Sequence, residues 1–215
     1  MNEAAPIVHL VDDDSSFLTA ASRLLRASGF AVKTFAAARD FLAQLAAGTR
    51  GCVIVDLRMP GLNGLDVQAA LARADQPLPV IFLTGDGDIP SSVRAMRDGA
   101  EDFLEKRAPK NQLLDAVRRA LARDARERAE RERRCELRAR FDTLTERERE
   151  VLGHVVQGRL NKQIAADLGI HERTVKLHRT AITTKLRVPS VAELTRLAQE
   201  AGVFADAAPT FPKGQ

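Results

Sequence analysis

Residues 52–56 read CVIVD, four apolar residues followed by a carboxylate. A short, uninterrupted apolar run of this kind is typical of a strand that is covered on both faces, as the strands of parallel sheets are. Four further short β-type runs, some of them interrupted by polar residues, lie at residues 7–11, 32–35, 80–83 and 102–104. Together the five runs predict one sheet within the first 120 residues.

The segments between these runs carry apolar residues at helical spacing. Leu18, Ala21 and Leu25 share one helical face, and similar stripes occur within residues 41–45 and 65–71. Strands that alternate with amphipathic helices indicate an α/β, doubly wound fold, in which helices cover both faces of a parallel sheet. In such folds the functional site forms at the carboxyl ends of the strands.

Five polar residues stand at the ends of the predicted strands. Asp12 and Asp13 follow the first strand, Asp56 ends the third, Thr84 ends the fourth, and Lys106 follows the fifth. Because the carboxyl ends of parallel strands meet at one edge of a sheet, we expect these side chains to converge. Three carboxylates need a cation, and Mg²⁺ suits a ligand set of this kind. The sequence therefore predicts a magnesium site.

This residue set also predicts phosphoryl-transfer chemistry. With a metal bound, one carboxylate can act as the nucleophile, and Asp56 is the candidate because it ends a buried central strand. Lys106 would neutralise charge on the transferring oxygens, and the Thr84 hydroxyl would donate a hydrogen bond to one of them. Each residue alone has an ordinary explanation as a helix cap or a strand former. Their joint occurrence at strand ends favours a functional site.

A long helical pattern begins at Lys110 and continues without Gly or Pro through residue 140. Opposite charges recur there three or four residues apart, which is typical of a solvated linker helix. A nucleic-acid-binding arm and a coiled-coil contact with a second copy are the alternatives. We expect four segments along the chain, an α/β domain (1–122), a helical linker (123–140), an all-α domain (141–203) and a flexible tail (204–215).

The all-α domain is predicted to hold four helices. Thr145 starts a capping-box sequence, Asn161 is expected to cap the second helix, and Ser190 caps the fourth. The second helix, a turn at Gly169 and a longer helix over residues 172–186 form a predicted helix-turn-helix. In this motif the longer helix enters the major groove of DNA.

Charge supports a nucleic-acid partner for this motif. The net charge of the whole chain is only +4, but residues 159–187 contain seven Lys and Arg against two acidic residues. Such a density of positive charge indicates a polyanionic partner. The alternative is a helical bundle with a solvated charged face. The residues expected to contact DNA are Arg173, Thr174, Lys176, Leu177, Arg179, Thr180 and Lys185.

Other features of the sequence exclude several classes of protein. An apolar fraction of 45% fits a globular chain, and no run reaches the roughly 18 apolar residues that a membrane span needs. An acidic cluster stands where a signal peptide would be cleaved, so we expect a cytoplasmic protein with no membrane partner. Cys52 and Cys135 have no metal-type spacing and are expected to be reduced and structural.

Four segments resemble the receiver domain of response regulators: VHLVDDD (8–14), VIVDLRMPGLNGLD (53–66), FLTGDGD (82–88) and DFLEK (102–106). The second half resembles the LuxR-type output domain of the NarL/FixJ subfamily. The resemblance implies a two-component transcription regulator with a flavodoxin-like receiver, in which a histidine kinase phosphorylates Asp56. It further implies that the backbone carbonyl of Arg58 binds Mg²⁺, and that Thr84 and Phe103 form a switch pair.

The resemblance also implies partners. Phosphorylation would produce a homodimer that binds two half-sites of double-stranded DNA, with RNA polymerase as a further candidate partner. In this family Lys176, Leu177 and Thr180 match base-contacting positions, and the fourth helix pairs two copies on DNA. Two other interpretations compete with this one. The receiver could be a docking module that is never phosphorylated, or the acidic crevice could belong to an enzyme that hydrolyses phosphate compounds, although no dedicated general base is apparent.

One position departs from the family pattern. Arg107 follows Lys106, whereas the family usually has a proline in a cis peptide there. A cis bond before a non-proline residue costs about 2.5 to 4 kcal/mol, so this loop is expected to be either trans or strained. Arg58 and Asp86 occupy positions at which the family tunes the lifetime of the phosphoryl group.

Overall fold

The computed structural model describes residues 5–74, 77–85 and 89–203. The chain divides into two compact units between Arg128 and Ala129. The predicted tail, residues 204–215, and Asp86 lie outside the described residues. No helix among the described residues is both long and apolar enough to cross a membrane.

The first unit contains a five-stranded sheet in which every pairing is parallel. Its strands lie in the order β2-β1-β3-β4-β5, which is the flavodoxin-like order, so the predicted doubly wound fold is confirmed. β3 is central and buried along its whole length, as its apolar sequence predicts. The strands are β1 (Ile7–Val11), β2 (Ala31–Phe35), β3 (Gly51–Asp56), β4 (Val80–Thr84) and β5 (Asp102–Glu105).

Helices cover both faces of this sheet. Alternate residues of the strands supply two apolar clusters, one around Val53 and Phe82 and the other around Ile54 and Ile81. The second cluster includes Leu25 of the first helix and apolar residues of the fifth. The helices of this unit are α1 (Ser15–Ala27), α2 (Ala38–Ala43), α3 (Gly64–Ala72), α4 (Ile89–Arg97) and the first part of α5 (Lys110–Asp142).

Helix α5 is longer than a receiver domain needs, and the prediction that it continues beyond residue 122 is confirmed. The expectation that residues 123–140 are solvated is wrong at three positions. Asp124 is buried and accepts a hydrogen bond from the Gly51 amide at 3.0 Å, and Arg128 is also buried. Leu137 belongs to the apolar core of the second unit. Both units therefore bury side chains of this segment.

The second unit is all helical, as predicted. Its helices are α6 (Glu146–Val156), α7 (Asn161–Leu168), α8 (Glu172–Leu186) and α9 (Val191–Ala201). Thr145 and Ser190 cap α6 and α9 as expected. The prediction for Asn161 is wrong, because α7 begins one residue earlier than that prediction requires. The amide of Leu160, the residue before the helix, donates to Gln163 Oε1 at 2.9 Å.

Candidate functional site

The three predicted metal ligands converge at one edge of the sheet. One carboxylate oxygen from each of Asp12, Asp13 and Asp56 lies within 4.8 Å of the other two. β1 and β3 are neighbours in the sheet, with Val11 opposite Val55, so the residues that follow them emerge side by side. Asp12 and Asp56 are buried, whereas Asp13 is exposed and provides the open side of the cluster.

Lys106 joins two of these carboxylates. Its ammonium nitrogen lies 2.9 Å from Asp56 Oδ2 and 2.8 Å from Asp12 Oδ2. Its backbone amide donates to the carbonyl of Thr84 at 2.8 Å, which fixes the loop that follows β5 against the end of β4. The side chain of Lys106 is only 18% exposed. The predicted lysine is therefore part of the cluster and not a solvated surface residue.

Burial and pairing shift the pKa values of two of these groups. Burial raises the pKa of Asp12 above its usual value, and the hydrogen bonds from Lys106 and the Asp14 amide only partly oppose this. Burial acts to lower the pKa of Lys106, but its hydrogen bonds to Asp12 and Asp56 outweigh that effect and raise it overall. The ammonium therefore remains charged at neutral pH.

The carboxylate cluster fits a divalent metal ion. All of its side-chain donors are hard carboxylate oxygens, which Mg²⁺ prefers. Three carboxylates and one ammonium leave a formal charge of about −2, which one divalent ion would neutralise. Asp12 Oδ2 is buried and lies 2.8 Å from the Lys106 ammonium, and a carboxylate oxygen that contacts one cation keeps a second lone pair for a ligand. The donors present are thus suited to Mg²⁺.

The other predicted residues of the site lie close to this cluster. Thr84 is buried at the end of β4, the strand next to β3. The Arg58 amide donates to Asp56 Oδ1 at 3.3 Å, so the backbone of Arg58 passes beside the acceptor carboxylate. Phe103 is half-buried, and its ring stacks on Phe82 at a centroid distance of 5.8 Å. The two residues of the expected switch thus lie on the adjacent strands β4 and β5.

The loop after Lys106 takes the first of the two forms expected from the sequence. No cis peptide bond is found among the described residues, so the bond between Lys106 and Arg107 is trans. The Ala108 amide donates to the Glu105 carbonyl at 2.9 Å and closes a tight turn. The departure from the family pattern therefore leaves Lys106 within reach of both carboxylates.

The second unit presents the predicted helix-turn-helix. Gly169 ends α7 with a left-handed backbone (φ 64°, ψ 36°), which lets the chain turn directly into α8. Val175, Ile182 and Leu186 of α8 are buried in the core, as their spacing predicts. The opposite face of α8 is exposed, including Leu177 at 64%. The residues predicted to face DNA that are exposed are Arg173, Lys176, Leu177, Thr180 and Lys185, while Thr174 and Arg179 are half-buried.

Two of these residues already have partners on other helices of the second unit. Arg179 donates to Asn161 Oδ1 at 2.7 Å, and Lys185 donates to Glu148 Oε2 at 2.7 Å. The hydrogen bond from Lys185 lowers the pKa of the Glu148 carboxyl. Sequence reasoning identified both basic residues but not their acidic or amide partners, because the partners lie on other helices. A contact with DNA phosphate by Lys185 would compete with this ion pair.

One contact of the acidic site was not predicted. The ring of Phe17 lies under the Lys106 ammonium, with 4.8 Å between Nζ and the ring centroid. The available sequence signal is an aromatic residue four positions after Asp13, in the first turn of α1. An apolar residue at this place is explained equally well by core packing, so the pattern alone does not distinguish the two roles.

Comparison with known protein families accounts for both units. Residues 8–118 match the response regulator receiver domain, and residues 142–198 match the bacterial regulatory proteins of the LuxR family. The chain is a response regulator. It combines a receiver with a LuxR-type DNA-binding domain and belongs to the NarL/FixJ subfamily, so phosphorylation-dependent regulation of transcription is its function.

Relatives resemble this response regulator over nearly its whole length. The transcriptional regulatory protein FixJ of Azorhizobium caulinodans is 42% identical over 212 residues, covering 98% of this chain and 100% of that protein. The response regulator protein TmoT of Ectopseudomonas mendocina is 42% identical over 199 residues, covering 93% and 90% of the two chains. The low-resolution structure of the response regulator StyR is 44% identical with a TM-score of 0.79, covering 92% of this chain and 100% of that one.

Proposed function

We propose that Asp56 accepts a phosphoryl group from a histidine kinase, with Mg²⁺ held by Asp12, Asp13, Asp56 and the backbone carbonyl of Arg58. The observation that carries this proposal is the meeting of three carboxylates and one ammonium at the edge of the sheet. Mg²⁺, when bound, neutralises the carboxylates and the oxygens of the phosphoryl group. The receiver is a regulatory acceptor of one phosphoryl group and not an enzyme with turnover.

Asp56 and the residues around it have separate roles in phosphoryl transfer. An oxygen of the Asp56 carboxylate forms a bond to phosphorus while the bond from phosphorus to the donor's leaving atom breaks. Lys106 lies 2.9 Å from Asp56 Oδ2 and is placed to bind an oxygen of the incoming group. The Thr84 hydroxyl donates a hydrogen bond to another of these oxygens. Charge that develops during transfer is thus met by fixed donors.

Phosphorylation then changes the surface of the receiver. The Thr84 hydroxyl moves toward the phosphoryl oxygens, and the half-buried ring of Phe103 turns inward into the space beside it. New charge acting on a packed two-state element is a common basis for such switches. The altered surface pairs two copies of the chain, and the homodimer binds two half-sites of double-stranded DNA. We further propose RNA polymerase as a partner. The cytoplasm is the proposed location of the protein.

The exposed face of α8 reads the DNA. Lys176 binds guanine acceptors and Leu177 contacts a thymine methyl group in the major groove. Thr180 contacts a base edge beside them, and Thr174, Arg179 and Lys185 position the helix through phosphates, with Lys185 exchanging Glu148 for a phosphate oxygen. The residues that take part are Arg173, Thr174, Lys176, Leu177, Arg179, Thr180 and Lys185.

Acetyl phosphate labelled with ³²P tests the phosphorylation. We expect about one phosphate per wild-type chain in Mg²⁺, none after chelation, and none in Asp56→Asn. A wild-type chain that takes up no label would favour the docking module that is never phosphorylated. Steady release of many phosphates per chain would instead favour the hydrolytic enzyme.

DNA footprinting tests the coupling between the two domains. The wild type and Asp56→Asn are compared with and without a phosphodonor on DNA selected from a random pool. We expect tighter protection of two half-sites by the phosphorylated wild type alone. Equal protection in all four samples would contradict the switch.

A further inference from the structure

Phe17 makes a contact that the reaction described above does not use. Its ring faces the Lys106 ammonium at 4.8 Å, a distance at which a cation is attracted to the face of an aromatic ring. The same ammonium also donates to Asp12 and Asp56. The ammonium therefore contacts one aromatic ring and two carboxylates.

Local hydrogen bonds fix the ring relative to the acidic site. The Asp14 carboxylate caps α1 by accepting from the amides of Ser16 at 2.9 Å and Phe17 at 3.1 Å. The Asp14 amide in turn donates to Asp12 Oδ1 at 2.9 Å. The backbone of Phe17 is thus tied, through one intervening residue, to the carboxylate that Lys106 binds.

A cavity beside the Lys106 ammonium gives this flexible side chain room to move unless a neighbouring side chain restrains it. A cavity of about 480 Å³ opens between α1 and the loop that precedes α5, and both Phe17 and Lys106 line it. Its other walls are mostly small or apolar, including Ala20, Leu24 and Leu113. A lysine stem has four rotatable bonds, so without the ring the ammonium could move into this space.

We propose that Phe17 is a positioning residue for phosphoryl transfer, because its ring holds the Lys106 ammonium against Asp56. The inference rests on the proposed phosphorylation of Asp56. Phe17 does not touch the phosphoryl group and acts only through Lys106.

The predicted effect falls on the transfer step. With acetyl phosphate, an Asp56 carboxylate oxygen bonds to phosphorus, the bond from phosphorus to the bridging oxygen breaks, and acetate leaves with the electron pair. Lys106 stabilises the oxygens that gain charge during this step. A displaced ammonium therefore lowers the rate constant at saturating acetyl phosphate and leaves KM nearly unchanged.

The experiment measures ³²P uptake from acetyl phosphate in Mg²⁺ for Phe17→Leu, Phe17→Trp and the matched control Phe30→Leu. Phe30 is also half-buried and packs on the same apolar cluster, but it belongs to no contact with Lys106 that the structure describes. We expect Phe17→Leu to lower the saturating rate constant about 3- to 10-fold, as loss of a partly buried cation–π contact would. Phe17→Trp, which keeps an aromatic face, should recover the rate within about 2-fold.

A second pair of variants separates positioning from packing. In a Lys106→Ala background, adding Phe17→Leu should lower the rate no further, because the group that it positions is gone. The inference is overturned if Phe17→Leu matches the wild type, if Phe30→Leu is equally slow, or if the loss persists in Lys106→Ala. It stands apart from the proposed function, which fails instead if the wild type takes up no label or Asp56→Asn takes up as much.

Discussion

Replacing His9 by leucine should make the receiver domain less sensitive to acid. His9 lies on β1 with 6% of its surface exposed and packs against the rings of Phe35 and Phe41, which also contact each other. Neither ring nitrogen has a hydrogen-bond partner within the described chain. Burial, with a smaller contribution from the charge of Lys33, lowers the pKa of His9 from 6.5 to about 4.

The size of the effect follows from this pKa. In the unfolded chain His9 binds a proton as the pH falls below 6.5, whereas in the folded protein it does so only near pH 4. Proton binding to the unfolded chain therefore lowers the free energy of unfolding as the pH falls through this window. At about 1.4 kcal/mol per pKa unit, the full loss is about 3 kcal/mol; most of it has developed at pH 4, and it levels off within about one pH unit below that.

Leucine is close to histidine in volume and does not titrate, so His9→Leu should not incur this loss. The free energy of unfolding is measured by urea titration at pH values from 4 to 7.5. The chain has no Trp or Tyr, so we use pulse labelling of the buried Cys52 thiol by a pyridyl disulfide, with the exposed Cys135 replaced by serine throughout. Cys52 lies in β3 and becomes reactive only when the receiver unfolds.

The decisive measurement is the difference between wild type and His9→Leu in how the free energy of unfolding depends on pH. We expect the wild type to lose about 3 kcal/mol more than His9→Leu between pH 7 and pH 4, while His171→Gln, an exposed histidine of the other unit, follows the wild type. Parallel profiles for wild type and His9→Leu would show that His9 is not buried in its neutral form.

Three further substitutions test other contacts. A Cβ at Gly64 would lie 2.5 Å from the Asp56 carbonyl oxygen, so Gly64→Ala should lower the free energy of unfolding by about 1 to 3 kcal/mol and slow phosphate uptake; unchanged urea midpoints would contradict this. Glu148→Gln keeps an acceptor for the α6 cap but removes the charge that competes for Lys185, so DNA binding should tighten with little change in the log–log salt slope, whereas Lys185→Ala should reduce that slope by about one; an unchanged slope in Lys185→Ala would mean that Lys185 reaches no phosphate. Leu177→Ala should change stability by less than about 0.5 kcal/mol and weaken only sequence-specific DNA binding, and an equal loss on random DNA would exclude a base contact.

The sequence predicts the parts of this protein that depend on periodicity and chain direction. Short β-type runs locate all five strands to within about two residues. The runs are purely apolar before Asp56 in β3 and before Thr84 in β4, which are buried throughout, whereas the edge strands β2 and β5 are partly exposed and carry more polar residues. The convergence of Asp12, Asp13 and Asp56 follows as well, since parallel strands present their carboxyl ends at one edge. Caps such as Thr145 are readable because their partners lie within three residues.

Contacts between distant elements are not readable in the same way. The pair of Phe17 with Lys106 depends on the angle at which α1 packs beside the loop after β5. The ion pair of Lys185 with Glu148 depends on where α8 crosses α6. The predicted cap at Asn161 is wrong by a single residue. The sequence pattern allows α7 to begin at either of two neighbouring positions, and in the structure Leu160 is the residue before the helix.

The hydrogen bond between Asp124 and Gly51 determines how the receiver can be cut from the chain. The Gly51 amide is bound by a carboxylate from far along α5, at the opposite end of β3 from Asp56. A fragment that stopped at residue 122 would leave this amide without its acceptor and would also lose Arg128, which donates to the Thr49 carbonyl at 3.0 Å. An unpaired buried amide costs about 1 to 3 kcal/mol. A receiver fragment that ends at or after residue 128 therefore keeps the hydrogen bonds at the start of the central strand.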